Sequence, residues 1–522
     1  MTKIPQTAPH SSTNMRIVAA LLLLPVLAIT FANLVLPTLL TIRASFYEIQ
    51  MMSDASEFVG LANYSELLQT PAFWSAAVRF SVDTLIQIVI VSLVPIVVSM
   101  TLRRQSKPIS STLNAFFCLP IAFFVPISAM LLVFLSYRQF GPGLVLSVLK
   151  GLLSLGIAAS LGCFWYGAVW RAEQAAVPQN RLRFSALLSW IISILLVASI
   201  NLQSFLGEYL FKQRASFGLL YHELFFQLFR FGTGQALASL LIILLASLGL
   251  AATLLIIVSD LRIFQLDARP EPQSDARPSG VGIVAAGAIL LLSLWPVWLL
   301  LAKLPEAQNS AVEPAQNLGL IGTLLSASIG TLLQLLLAYP AALAIGALRP
   351  LGRHSEWLLL LFAPWLLVGL LPLLGQYYML SLRLGLLSSW LSFFSPIIVN
   401  VPLIFLFTLF FKGQACNERA DAGFFERFIQ PSWPLLLASA IVLFLLGWRS
   451  VVWNFITAHS SEHWNIQTAQ LAAFLRGGKP ASVVQLLIDH FVKLELPISI
   501  VAALCLSLLS NKLQRLAVRS GR

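Results

Sequence analysis

The sequence predicts an all-α polytopic membrane protein of about twelve transmembrane helices, arranged as two tandem six-helix halves. Three observations carry this expectation. Of the 522 residues, 58% are hydrophobic and only 10% charged, against roughly 25% charged in a soluble domain. The apolar runs are continuous and mostly about 20–28 residues long, enough to cross a ~30 Å hydrocarbon core as helix. Lys and Arg are sorted between alternate connections. The first observation excludes a soluble enzyme, and the same apolar excess excludes disorder. The second excludes a β-barrel, whose strands alternate over about ten residues.

Taken in order, the runs fall at 15–42, 75–102, 110–136, 143–170, 186–206, 233–259, 280–302, 318–347, 356–381, 386–411, 433–456 and 488–511. The first is too long for a signal peptide and no small-residue cleavage site follows it, so it reads as a span. With the N-terminus inside, the inner connections hold 20 of the 33 basic and 9 of the 21 acidic residues, a balance of +11 against +1 outside. Both termini are therefore expected in the cytoplasm, beneath a plasma (inner) membrane. The basic balance reads as topology and contact with anionic membrane lipid. No basic soluble face exists for a nucleic acid. Cys118, Cys163, Cys416 and Cys505 show no CxxC spacing and read as small hydrophobes.

The longest polar inner connection is 263–280, IFQLDARPEPQSDARPSG. Its prolines, serines and alternating charges resist helix packing, so it reads as a cytoplasmic linker. It separates an N-terminal half, 1–262, from a C-terminal half, 281–522, each with about six spans. Two such halves in tandem make a parallel repeat, a form common among transport proteins, with the pathway between the halves.

Residues 58–80, FVGLANYSELLQTPAFWSAAVRF, closely resemble a phrase that precedes the second span in membrane subunits of carbohydrate-type ABC importers. Phe58, Val59, Gly60, Leu61, Asn63, Tyr64, Leu67, Leu68, Phe73 and Trp74 match. Physically, this is an outer amphipathic segment whose aromatics sit at headgroup level. Residues 116–134 resemble the proline-containing third span of those subunits, and 231–250 their last span. In the second half, AYPAALAIGALR (338–349), LGLLSSW (384–390) and WRSVVWNFI (448–456) resemble stretches of the partner subunit. The chain thus resembles both membrane subunits of such an importer, a binding-protein-dependent inner-membrane system, fused end to end.

The resemblance implies a cytoplasmic coupling loop in each half, of the EAA type, which docks on the ATPase. In the first half Gln174, Ala175, Ala176 and Asn180 occupy the E, A, A and G positions. Asn180 there allows a turn with φ > 0. In the second half Gly423 keeps the glycine, while Asn417, Glu418 and Arg419 stand where E, A and A would be, and Pro434 follows two residues early. Both loops are degenerate. An ATP-binding cassette dimer and an extracytoplasmic solute-binding protein are the implied partners, and no cofactor is implied.

The chain has no GxxxxGK[ST] phosphate loop, HExxH or GxSxG, so no catalytic or metal-binding residues are assigned and ATP hydrolysis is expected on a separate subunit. His459 and His463 flank Glu462 in an outer loop and read as solvated rather than zinc-binding. Mid-span polar groups are rare and are pathway candidates. Gln376 with Tyr377, and Trp453 with Asn454, offer amide or hydroxyl partners beside aromatic faces, as a sugar needs. Asn400 and Arg449 join them, and Gln334, Gln87, Asn201 and Gln235 are further polar groups. No acid on its own span lies within helical reach of Arg449. Arg79 and Asp83, four apart, are expected to pair.

The expected function is therefore the permease of an ABC importer, for a carbohydrate or related solute. The alternative is a permease-like scaffold or assembly subunit that has lost ATPase coupling. A proton-coupled secondary transporter is disfavoured, because the spans hold almost no acids or histidines.

Overall fold

A computed structural model describes residues 13–49, 56–103, 105, 107–124, 127–137, 141–175, 177–211, 216–266, 280–302, 317–416, 423–475 and 480–521. Eight helices are long and apolar enough to span a membrane: α1 (Asn14–Ala44), α2 (Pro71–Arg103), α5 (Val145–Arg171), α6 (Gln179–Leu210), α7 (Phe231–Val258), α10 (Gly319–Leu348), α12 (Phe425–Thr457) and α14 (Val483–Leu513). Two apolar helix pairs, α3 (Ile109–Ala122) with α4 (Ile127–Tyr137), and α8 (Gly280–Ser293) with α9 (Trp295–Ala302), are bent at a short break, by 77° and 58°, as a broken span or a re-entrant loop is. Two shorter apolar helices, α11 (Val401–Ala415) and α13 (Ile466–Leu475), complete the described set. The protein is an all-α, multi-pass membrane protein.

Against about twelve regular spans expected, the described residues hold eight helices long and apolar enough to cross a membrane, or up to ten where each bent pair counts as one span. The expected spans 356–381 and 386–411 are not continuous helices. The first is a series of 3₁₀ segments, Gly352–Leu361, Ala363–Trp365 and Leu371–Leu373, ending in the α-helix Leu374–Arg383. The second runs through a turn at Trp390–Phe393 and irregular chain before α11. Pro364, Pro372 and Pro396 each remove a backbone donor and crowd the preceding turn. Hydropathy registers the leucines around them and is blind to this.

Irregular backbone inside a membrane protein needs partners, and side-chain amides supply them. Asn33 on α1 donates to the Pro396 carbonyl at 2.6 Å and accepts from the Ile398 amide at 3.1 Å. Gln203 donates to the Leu367 carbonyl at 2.9 Å and accepts from the Gly369 amide at 2.5 Å. Asn400 caps α11 by accepting from the Leu403 amide at 3.2 Å.

The first span of each half packs on the other half. α1 lies along α10 and the turn that ends it, whereas α8 lies along α5 and α2. A single large apolar core, from Leu34, Leu237 and Leu241 to Ile345, Phe362 and Phe405, runs through both halves.

At one end of the bundle an antiparallel ribbon pairs β3 (Leu261–Gln265) with β4 (Leu516–Ser520). Its first strand takes in residues 263–265 of the segment expected to be a linker. The same end holds the Arg103–Glu173 pair and the Arg349–Glu356 pair. At the other end the segment that resembles the importer phrase builds a platform. A two-stranded hairpin, β1 (Tyr47–Ile49) with β2 (Ser56–Phe58), leads into a tight turn at Gly60, whose φ of 60° favours glycine. Asn63 then donates to the Ser45 and Tyr47 carbonyls at 2.9 and 3.1 Å. Phe58, Leu61 and Trp74 stay exposed, as interfacial anchors do.

Candidate functional site

The helix Leu374–Arg383 of the second half lies across from Phe217–His222 and Glu223–Gln227 of the first, and an aromatic cluster fills this seam. The His222 ring sits 5.3 Å from both Phe205 and Tyr209 and 5.6 Å from Phe226. Phe226 meets Tyr378 edge-on at 5.1 Å, and Tyr209 meets Phe455 at 5.6 Å. Tyr377 and Trp453 meet edge-on at 6.4 Å. Within this packing, His222 Nδ1, Gln235 Oε1 and Trp453 Nε1 are buried without a hydrogen-bond partner, and the Tyr221 hydroxyl points at the Gly375 backbone without normal hydrogen-bond geometry. A Cβ at Gly375 would also press on Gln235. Buried polar atoms are nearly always paired, so His222 Nδ1, Gln235 Oε1 and Trp453 Nε1 stand out among the packed aromatic rings of the seam.

The residues singled out from the sequence divide. Trp453, Tyr377 and the half-buried Gln376 lie at the seam. Tyr377 also donates to the Asn33 carbonyl. Asn400 reaches Gln334 at 2.8 Å in addition to its capping role. Asn454 donates to the Ser392 and His463 carbonyls at 3.2 and 2.9 Å and accepts from the Asn465 amide at 2.8 Å. Arg449 donates to the Ala122 and Phe124 carbonyls at 2.6 and 2.8 Å and to Ser499 at 2.8 Å. The first two carbonyls lie where α3 ends and the break before α4 begins. Its acid is Glu495, 3.6 Å away on a different helix, and both side chains are buried.

Sequence reasoning missed Tyr209, Tyr221 and His222, because they fall where an outer connection was drawn. It also undercounted membrane acids. Asp83, Glu208 and Glu495 are all buried. Arg79 and Asp83 do pair, at 3.3 Å, and Lys150 bridges Asp83 at 3.1 Å to Glu208 on α6.

The two expected coupling segments lie at the ribbon end. Gln174 and Ala175 fall in a tight turn, Ala172–Ala175, whereas Ala176 lies outside the described residues. Pro178 starts α6, and Asn180 is exposed on its first turn beside Arg181 and Arg183. The left-handed turn expected at Asn180 does not form, because Pro178 with φ −56° leads straight into helix. In the second half Glu418 and Arg419 lie outside the described residues. Gly423 is exposed with open space around it, followed by exposed Phe424 and Phe425.

A scan against protein-family models and a search of the curated proteins both find no match to this chain.

Proposed function

We propose that this chain is the permease of an ABC importer, both six-helix membrane subunits fused in tandem in an inner membrane with cytoplasmic termini. It takes a carbohydrate or related polyol from an extracytoplasmic solute-binding protein into the aromatic seam. A separate ATPase dimer docks on the segments around 173–193 and 417–436 and rocks the halves.

The observation that supports this most is the reciprocity of the two halves. Gln203 is the first residue past Leu202, where α6 breaks, and Arg449 the first past Trp448, where α12 breaks; they stand 246 positions apart. Each reaches the broken third element of the other half, Arg449 at Ala122 and Phe124, Gln203 at Leu367 and Gly369, 245 positions further on. Tyr209 and Phe455, again 246 apart, touch each other. These matched offsets support reading the chain as a parallel repeat, with its pseudo-two-fold axis through the seam.

The test is co-purification from the native membrane in mild detergent. An ATPase subunit should accompany the parent chain and be lost from the Asn180→Val/Gly423→Val variant, both positions being exposed. Recovery of only other membrane proteins would sink the importer reading and favour the scaffold.

A further inference from the structure

The β3–β4 ribbon joins three parts of the protein that the proposed mechanism has to move. Strand β3 continues from the last span of the first half and β4 from the last span of the second, so the two halves exchange main-chain hydrogen bonds. One side of the ribbon rests on the first docking segment, with Phe264 and Ala517 packed among Ala172, Val177 and Leu182. Arg171 donates to the Leu516 carbonyl at 3.0 Å, and the Ser520 amide donates to Ser185 Oγ at 2.9 Å. Along its other side β3 lies on α11 of the second half. The approach is so close that a Cβ at Gly413 would run into the Ile263 carbonyl.

The contact with α11 centres on one buried cation. Lys412, whose side chain is 1% exposed, pairs with Asp260 at 2.6 Å from the first half and with Glu356 from the second. Arg262 pairs with Asp260, and Arg349 lies 3.5 Å from Glu356. Lys412 thus bridges an acid from each half, each with an arginine of its own beside it, at the end where the halves are tied by backbone. Removing it takes away the contact that bridges the two partly buried carboxylates and leaves each with its own arginine.

We propose that the ribbon is a releasable latch, with Lys412 as its bolt: it holds the seam shut at this end in the state described here, and it parts from α11 when the seam opens on this side. This rests on the reading of the chain as an alternating-access permease.

Native cysteines report on it. Cys416 caps α11 beside the ribbon and is half-buried, whereas Cys118 and Cys163 are buried in the helical core. The full chain in mild detergent is treated with a bulky polar maleimide, and labelling at each cysteine is followed by mass spectrometry. Lys412→Met, which keeps the length of the side chain, should speed Cys416 labelling about tenfold or more while Cys118 and Cys163 stay protected. Asp260→Asn, a milder change, should act in the same direction with a smaller factor. Equal Cys416 rates in the parent and both variants, with Cys118 and Cys163 protected, overturn the latch. If Lys412→Met exposes the core cysteines it has unfolded the protein, and Asp260→Asn alone then decides. No ATPase enters this measurement, so its failure is distinct from failure of the importer reading.

Discussion

Arg449→Met offers the sharpest test of how the bent spans are held. The substitution keeps the length and apolar stem of the side chain but removes donors to the Ala122 and Phe124 carbonyls, and it leaves Glu495 buried without its cation. Breaking a buried ion pair from one side costs about 3–5 kcal/mol. The equivalent change in the other half, Gln203→Met, removes three hydrogen bonds between neutral groups, two to the broken element and one to the Ser199 carbonyl on its own helix, at about 1 kcal/mol or less each. Adding Glu495→Gln to Arg449→Met removes the stranded charge and should recover most of the difference, leaving a loss of about 2 kcal/mol. Reversible unfolding by sodium dodecyl sulfate in mixed micelles, followed by tryptophan fluorescence, measures all three. If Arg449→Met costs no more than Gln203→Met, or if Glu495→Gln deepens the loss, Arg449 does not brace the break as argued.

Two further outcomes are expected. Tyr221→Phe should leave stability unchanged within about 0.5 kcal/mol, since its hydroxyl makes no hydrogen bond of normal geometry, yet should weaken protection of the purified protein by its solute in a thermal-shift assay; a large stability loss would mark the hydroxyl as a structural group. The latch should also depend on pH in one direction. Burial pushes the Asp260 carboxyl up, but the Arg262 hydrogen bond and Lys412 more than offset it and hold it below its ordinary value, with Arg519 also nearby and Glu356 across Lys412. A depressed carboxyl contributes fully above its unfolded value and loses that contribution as pH falls through the folded one. Hydrogen exchange of residues 261–265, corrected for intrinsic rates, should show a closed ribbon from pH 8 to 5 and loosening only below about pH 4; loosening near pH 6 would contradict the assignment.

The helical, multi-pass class was legible in composition and run length alone, and eight of the expected runs correspond to long helices. What the sequence hid was local. The stretches around Pro364, Pro372 and Pro396 are as rich in leucine as any span, and their departure from helix depends on Asn33 and Gln203 reaching them from more than 160 positions away. Asn400 and Asn454 were visible as polar groups in apolar surroundings, but whether such an amide faces a pathway or a loose carbonyl is decided by neighbours that no spacing rule reveals. Arg449 stood out for the same reason, and its acid could not be found because α14 brings Glu495 to it from another helix. The seam was only half legible. Tyr377 and Trp453 lie in apolar runs, whereas His222 sits in a short helix that hydropathy assigns to an outer connection.

The unlike pair Gln203 and Arg449 has an evolutionary corollary. In a homodimer every substitution is inherited twice, so a guanidinium introduced at one such position would appear at both and demand two new counter-ions. On the proposed tandem repeat, carrying both copies on one polypeptide would remove that constraint. One site can acquire a charge and its acid while its twin keeps a neutral amide, and the two lobes become free to differ in stiffness and in the order in which they yield.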